Sequence, residues 1–177
     1  MIIHFFRERI KERINYSEVI DEFFSDLPNC IITSDNDQVD IELSEPSFDF
    51  KYHFYITKRT RVKSMFKLSP EYVNTNILIE IPVLLSKFLV RKMLKVAYEL
   101  SKRFDLYVYH EKISDITEFK MLDLLAYIDK ETSDYMISNP KKYYYMDQKT
   151  LTSACTYLQA MTQISESMKV DAVMSPY

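Results

Sequence analysis

Residues 76–110 read NILIEIPVLLSKFLVRKMLKVAYELSKRFDLYVYH, and their reading decides the fold. Ile77, Ile79 and Ile81 recur at every second position, which predicts a strand with those three inward, and Pro82 ends it. Leu85, Leu89, Met93, Val96 and Leu100 then follow helical spacing and form one apolar stripe. DLYVYH resumes an extended pattern at once. A strand, a helix of about six turns and a further strand joined by short connections make a crossover unit, so the two strands are expected to be parallel, side by side or separated by one inserted strand.

Upstream, CIITSDNDQVDIELSEPSFDFKYHFYITK at 30–58 holds two clear alternations. Val39, Ile41 and Leu43 alternate with Gln38, Asp40 and Glu42. Beyond Pro46 the same period places Phe48, Phe50, Tyr52, Phe54 and Ile56 on one face, and Asp49, Lys51, His53, Tyr55 and Thr57 on the other. RERIKERINYSEVIDEFFSDLPN at 7–29 is expected to be a first helix, with Ile10, Ile14, Ile20, Phe23, Phe24 and Leu27 near 3.6-residue spacing and Pro28 stopping it.

Downstream only helical spacing is found. DITEFKMLDLLAYIDKETSDYMIS is amphipathic through Phe119, Leu122, Leu125, Ile128 and Tyr135, with Ser114 or Asp115 as its cap. KTLTSACTYLQAMTQISESM is helical through Leu151, Ala154, Cys155, Leu158, Met161 and Met168, and VDAVMSPY reads as a frayed end. The expected fold class is therefore α+β. A mixed or antiparallel sheet of about five strands with two packed helices, in the order α-β-β-β-β-α-β, is followed by a C-terminal helical hairpin. Residues 1–113 are expected to form the core domain, and 114–177 an extension packing on it or on a partner subunit.

Of 177 residues, 47% are apolar, 28% are charged and none is glycine. Average usage would supply about a dozen glycines. Phosphate loops of the Walker type, the dinucleotide fingerprint and the nucleophile elbow need that residue for positive φ or close backbone approach, and all are excluded. Turns with positive φ must use Asn or Asp, and Asn36 in SDNDQ is the expected case. Two cysteines, Cys30 and Cys155, are too few for a disulfide framework. The uncharged run 151–165 is too short and polar to span a bilayer, and the amino terminus lacks a secretory pattern. A cytoplasmic location is the expectation.

The formal net charge of −3 conceals a partition. Residues 17–50 carry ten acidic side chains and no basic one, whereas residues 51–103 carry twelve basic and three acidic. Lys87, Arg91, Lys95 and Lys102 form a ridge along one helix face. With Lys58, Arg59, Arg61, Lys63 and Lys67 they are expected to make one cationic surface for an acidic protein or nucleic acid, or else to be solvated. Cross-strand pairing with the acidic block would cancel part of the field. Tyr143, Tyr144 and Tyr145 offer an aromatic contact patch.

An acid on one strand, followed on the next by an acid and a lysine two positions apart, is similar to the metal-binding motif of restriction-endonuclease-like nucleases. The resemblance implies Asp40 and Asp49 holding Mg²⁺ and Lys51 orienting or deprotonating a water, with His53 as a further acid or base. His4, His53 and His110 lack zinc-ligand spacing. The leading expectation is a non-enzymatic protein-interaction module of regulatory or immunity type. It would need no cofactor, bind a protein partner through the ridge or the tyrosines, and possess a C-terminal helix able to form a homodimer. The alternatives are the Mg²⁺-dependent nuclease and a non-catalytic nucleic-acid binder.

Overall fold

The computed structural model describes residues 1–139 and 148–174, with the backbone alone for 148–151 and 169–174. It is an α+β protein in which six strands form one antiparallel sheet. β1 is Ile2–Glu8, β2 Cys30–Ser34, β3 Gln38–Glu45, β4 Phe50–Thr57, β5 Tyr72–Glu80 and β6 Tyr107–Tyr109. Their order across the sheet is β2-β3-β4-β5-β1-β6, and every neighbouring pair is antiparallel. β5 and β6 are thus parallel with β1 between them, the inserted-strand form of the expected crossover.

β1 corrects the expected first helix. Ile3, His4, Phe5 and Phe6 are all buried, so this strand is covered on both faces and shows no alternation that its sequence could advertise. The chain then turns through Ile10, which is 92% exposed, and helix begins only at Tyr16. There Asn15 caps it, its Oδ1 accepting from the amides of Ser17 and Glu18. α1, Tyr16–Val19, continues into a π-helical turn, Ile20–Phe24, that aims Phe23 and Phe24 inward.

α2, Lys87–Arg103, starts at Ser86, whose Oγ accepts from Leu89 N at 3.3 Å, and ends in Lys102 and Arg103, charges suited to a helix C-terminus. α1 and α2 cover the same sheet face. Val19, Phe24, Met93, Leu94, Ala97 and Leu100 pack there on Ile3, Phe5, Ile41, Phe54, Ile77 and Ile79 in a single cluster. Phe54 touches the rings of Phe5, Phe24 and Tyr52 at centroid distances of 6.4, 5.1 and 6.4 Å. Burying each such side chain contributes about 1.5–3 kcal/mol. On the opposite face the segment between β4 and β5 folds back, and Val62 and Leu68 cover Phe6, Tyr109 and Ile116.

Several local expectations change. Pro46–Phe48 is a 3₁₀ turn, so β4 begins at Phe50, and Asp49 sits at φ 47° rather than in the strand. Positive φ falls at Asn29, Asp49, Asn76, Leu84 and Asp105, and Asn36 is not among them. α3, Met121–Ser138, starts six residues later than Asp115, because Thr117 first bridges to Val108 and Asp115 Oδ1 accepts from Ser69 N and Ile116 N. Leu124 and Ile128 carry its buried face, whereas Leu122 is 80% exposed. α4, Gln148–Met174, extends into the segment expected to fray, whose last three residues lie outside the described ones, and forms a C-terminal helical pair with α3. No helix among the described residues is long and apolar enough to cross a membrane.

Candidate functional site

The polar face of β3 and β4 carries the residues singled out from the sequence. In the ladder Asp40 faces Tyr55, Glu42 faces His53 and Ser44 faces Lys51. Lys51 Nζ lies 2.8 Å from Glu42 Oε1, and this hydrogen bond holds the Glu42 carboxyl below, and the Lys51 amine above, its ordinary range. His53 Nδ1 is 2.7 Å from Asp40 Oδ1, with Glu42 Oε2 at 3.9 Å from Nε2. The imidazole stacks on Tyr55, interplanar angle 9°, and burial pushes the Tyr55 phenol upward. Arg61 continues the row, its guanidinium 5.4 Å from the Tyr55 ring centroid and hydrogen-bonded to Glu80 at 3.2 Å and Gln38 at 2.7 Å.

This row is a chain of mutually satisfied polar and charged side chains, a cross-strand stabilising device. It does not suit the two-carboxylate Mg²⁺ arrangement. Asp49 lies six residues along the chain from Tyr55, the partner of Asp40, which separates the two acids by about 20 Å at the ~3.4 Å per residue of an extended strand. One ion cannot bridge that distance. Among the described residues no three His, Cys, Asp or Glu side chains are grouped to hold a metal. Lys51, assigned to a water by the resemblance, is bound to Glu42 instead.

The expected single cationic surface is divided by the sheet. The ridge of α2 lies on the helical face. Lys58, Arg59, Arg61, Lys63 and Lys67 belong to the segment that begins at the end of β4 and folds over the other face. Charge is also locally spent: Lys87 pairs with Asp129 at 2.9 Å, Lys63 with Glu111 at 3.2 Å, and Lys102 and Lys67 lie over the rings of Tyr98 and Phe66. Arg91 and Lys95 are exposed with no ion-pair partner among the described residues. Three further ion pairs join the acidic block to the basic one: Lys51–Glu42, Lys92–Glu45 and Arg103–Glu22. Tyr143, Tyr144 and Tyr145 lie outside the described residues.

α4 presents a different surface. Cys155 is buried, with Sγ 3.8 Å from Ser86 Oγ at the start of α2. On the reverse of the helix Tyr157, Met161, Ile164 and Met168 are 64, 47, 48 and 66% exposed. Steps of four, three and four residues keep them in one row, about half a turn away from Cys155 at 3.6 residues per turn. Leu158 flanks the row at 49% exposure. The sequence shows this helix as apolar at several phases, so Cys155 and Met161 read as one stripe; only its seat on α2 distinguishes the inward from the outward row. Comparison with protein-family models, with curated proteins and with solved structures gave no match.

Proposed function

We propose that this protein acts by association with protein rather than by catalysis, and that its contact surface is the outward row of α4 meeting a second copy of itself. The carrying observation is the apolar row Tyr157, Met161, Ile164 and Met168, flanked by Leu158, on the face of α4 turned away from the domain. At ~150–200 Å² per large side chain, five side chains about half exposed offer on the order of 500 Å² per copy. That is at the upper end of the patches monomers ordinarily expose. Flanking Ser, Thr and Gln positions bring the face toward the ~800 Å² per partner of a standard interface.

A second copy fits this face because it lacks charge. Residues 151–165 contain no ionisable acid or base other than Cys155 and Tyr157, so no oppositely charged partner is called for. An uncharged row can be placed against itself by a two-fold axis without repulsion. Alternating steps of three and four residues are the spacing of paired helices. Sedimentation equilibrium over a range of about 1–100 µM tests the reading. A dimer that becomes monomeric in Met161→Glu and Ile164→Glu, and is unchanged in Lys95→Glu, is the expected result. A wild-type chain that stays monomeric throughout, or a dimer indifferent to both α4 substitutions, overturns it.

A further inference from the structure

The end of β1 holds a second, independent feature. Ile3 and Phe5 point into the helical-face core. Alternation along the strand puts Arg7 on that same face, where an apolar side chain would be expected. Its Nε is buried and makes no hydrogen bond, and no carboxylate pairs with its guanidinium among the described residues. Arg7 as a whole is half-buried, but a buried donor atom without a protein partner costs free energy and calls for an explanation, a bound water or ion among them.

Arg7 lines a cavity of about 460 Å³ between the end of β1, the turn leading to α1, and β5. That volume is within the ~300–1,000 Å³ of small-ligand sites. Of the ionisable side chains lining it, Arg7, Arg9, Lys11 and Arg13 are cationic and Glu8 and Glu12 anionic, a formal surplus of two positive charges. The surplus is concentrated on two arginines. Lys11 is engaged by Glu8 and Asp105, and Arg9 Nε donates to Pro70 O. Arg13, like Arg7, has no ion-pair or hydrogen-bond partner among the described residues. Ile14, Val73 and the Tyr16 ring, whose hydroxyl donates to Thr75 O, give the remainder an apolar wall.

The backbone beside the cavity is irregular. Between the pairs His4–Leu78 and Phe6–Asn74, β1 advances two residues while β5 advances four, and the excess bulges at Thr75 and Asn76. Asn76 has φ 59°, and Thr75 Oγ1 bonds back to Phe5 O at 2.7 Å to close the gap. Bulges of this kind bend a strand and are frequent beside binding sites.

We propose that this cavity binds a small organic phosphate monoester, its phosphate held by the guanidinium groups of Arg7 and Arg13 and its organic part against Ile14, Val73 and Tyr16. Two unpaired guanidinium groups match the nearly doubly charged phosphate, and their planar forks bond its oxygens without any glycine-dependent backbone cradle. A polymeric nucleic acid suits the site less well. The cavity is local, and α1 and the π-helical turn, which follow directly, expose Glu18, Asp21 and Glu22.

Isothermal titration of the full chain with phenyl phosphate, phenol, inorganic phosphate and a ten-residue oligothymidylate tests the assignment. Phenyl phosphate is expected to bind at least tenfold more tightly than inorganic phosphate, with no heat from phenol. Arg13→Gln, at an exposed position, is expected to weaken phenyl phosphate at least tenfold, and Arg7→Gln to do so with an unchanged circular-dichroism spectrum. Lys95→Gln on α2 is expected to have no effect. Absence of phenyl phosphate binding, an equal loss in Lys95→Gln, full retention in Arg13→Gln, or tighter binding of the oligonucleotide than of phenyl phosphate overturns the proposal.

Discussion

His53 reaches diagonally across the β3–β4 ladder to Asp40, placing Nδ1 2.7 Å from Oδ1, and leaves Glu42, its directly opposite neighbour, to Lys51. Both partners are about one-third exposed, which limits what the contact is worth. A double-mutant cycle with Asp40→Ala and His53→Ala, followed by urea unfolding, is expected to give a coupling of about 0.2–1 kcal/mol. Coupling indistinguishable from zero would show that the diagonal contact is not formed in solution.

His4 connects burial to pH. It is 4% exposed in the sheet and packs against Tyr109, and burial lowers its pKa from 6.5 to about 4, with Glu111 opposing the shift and Arg61 adding to it. The unfolded chain therefore takes up the proton first. The stability associated with neutral His4 is complete above pH 6.5 and declines as pH falls through 6.5 toward 4, by on the order of 3 kcal/mol in all. His110, lowered by the same cause, acts in the same direction. Urea unfolding at pH 7.5 and 4.5 is expected to show a smaller pH loss in His4→Gln than in the wild type. Equal losses would refute the assignment.

Positive φ without glycine is a standing local cost. Asn29 occupies φ 56° at an exposed turn before β2, and its main-chain oxygen, which any residue would supply, accepts from Ser44 N at 3.1 Å. Asn29→Gly is expected to be neutral or to stabilise by up to about 1 kcal/mol. Asn29→Val is expected to destabilise by about 1–2 kcal/mol, since a β-branched side chain tolerates the left-handed region poorly. Thermal unfolding of both variants checks the order, and the reverse order would contradict the turn geometry.

Cys155 anchors α4. Its burial against Ser86 seats the helix, so Cys155→Asp, which places an unpaired charge there, is expected to detach α4 while the sheet stays folded. Hydrogen exchange should rise across residues 152–162 and stay unchanged in β4 and β5. Exchange that rises equally everywhere would mean that α4 and the sheet unfold as one unit.

The stripe of α2 and the polar face of β3 and β4 were legible in the sequence because each element buries one face and leaves the other at least partly open to solvent, and local periodicity records that difference; β5 was legible from its recurring isoleucines although Leu78 between them is buried as well. Absence of glycine and the partition of charge were equally plain, and three of the ion pairs do join the two blocks. β1 was not legible: Ile3, His4, Phe5 and Phe6 are covered from both sides, so nothing alternates, and RERIKER continues the run in what resembles a helix. Tertiary structure alone decided that Asp40 and Asp49 lie far apart, that the two basic groups occupy opposite faces, and that Arg7 and Arg13 line one cavity. Those outcomes depend on register and crossover between distant segments, which close contacts that no local pattern encodes.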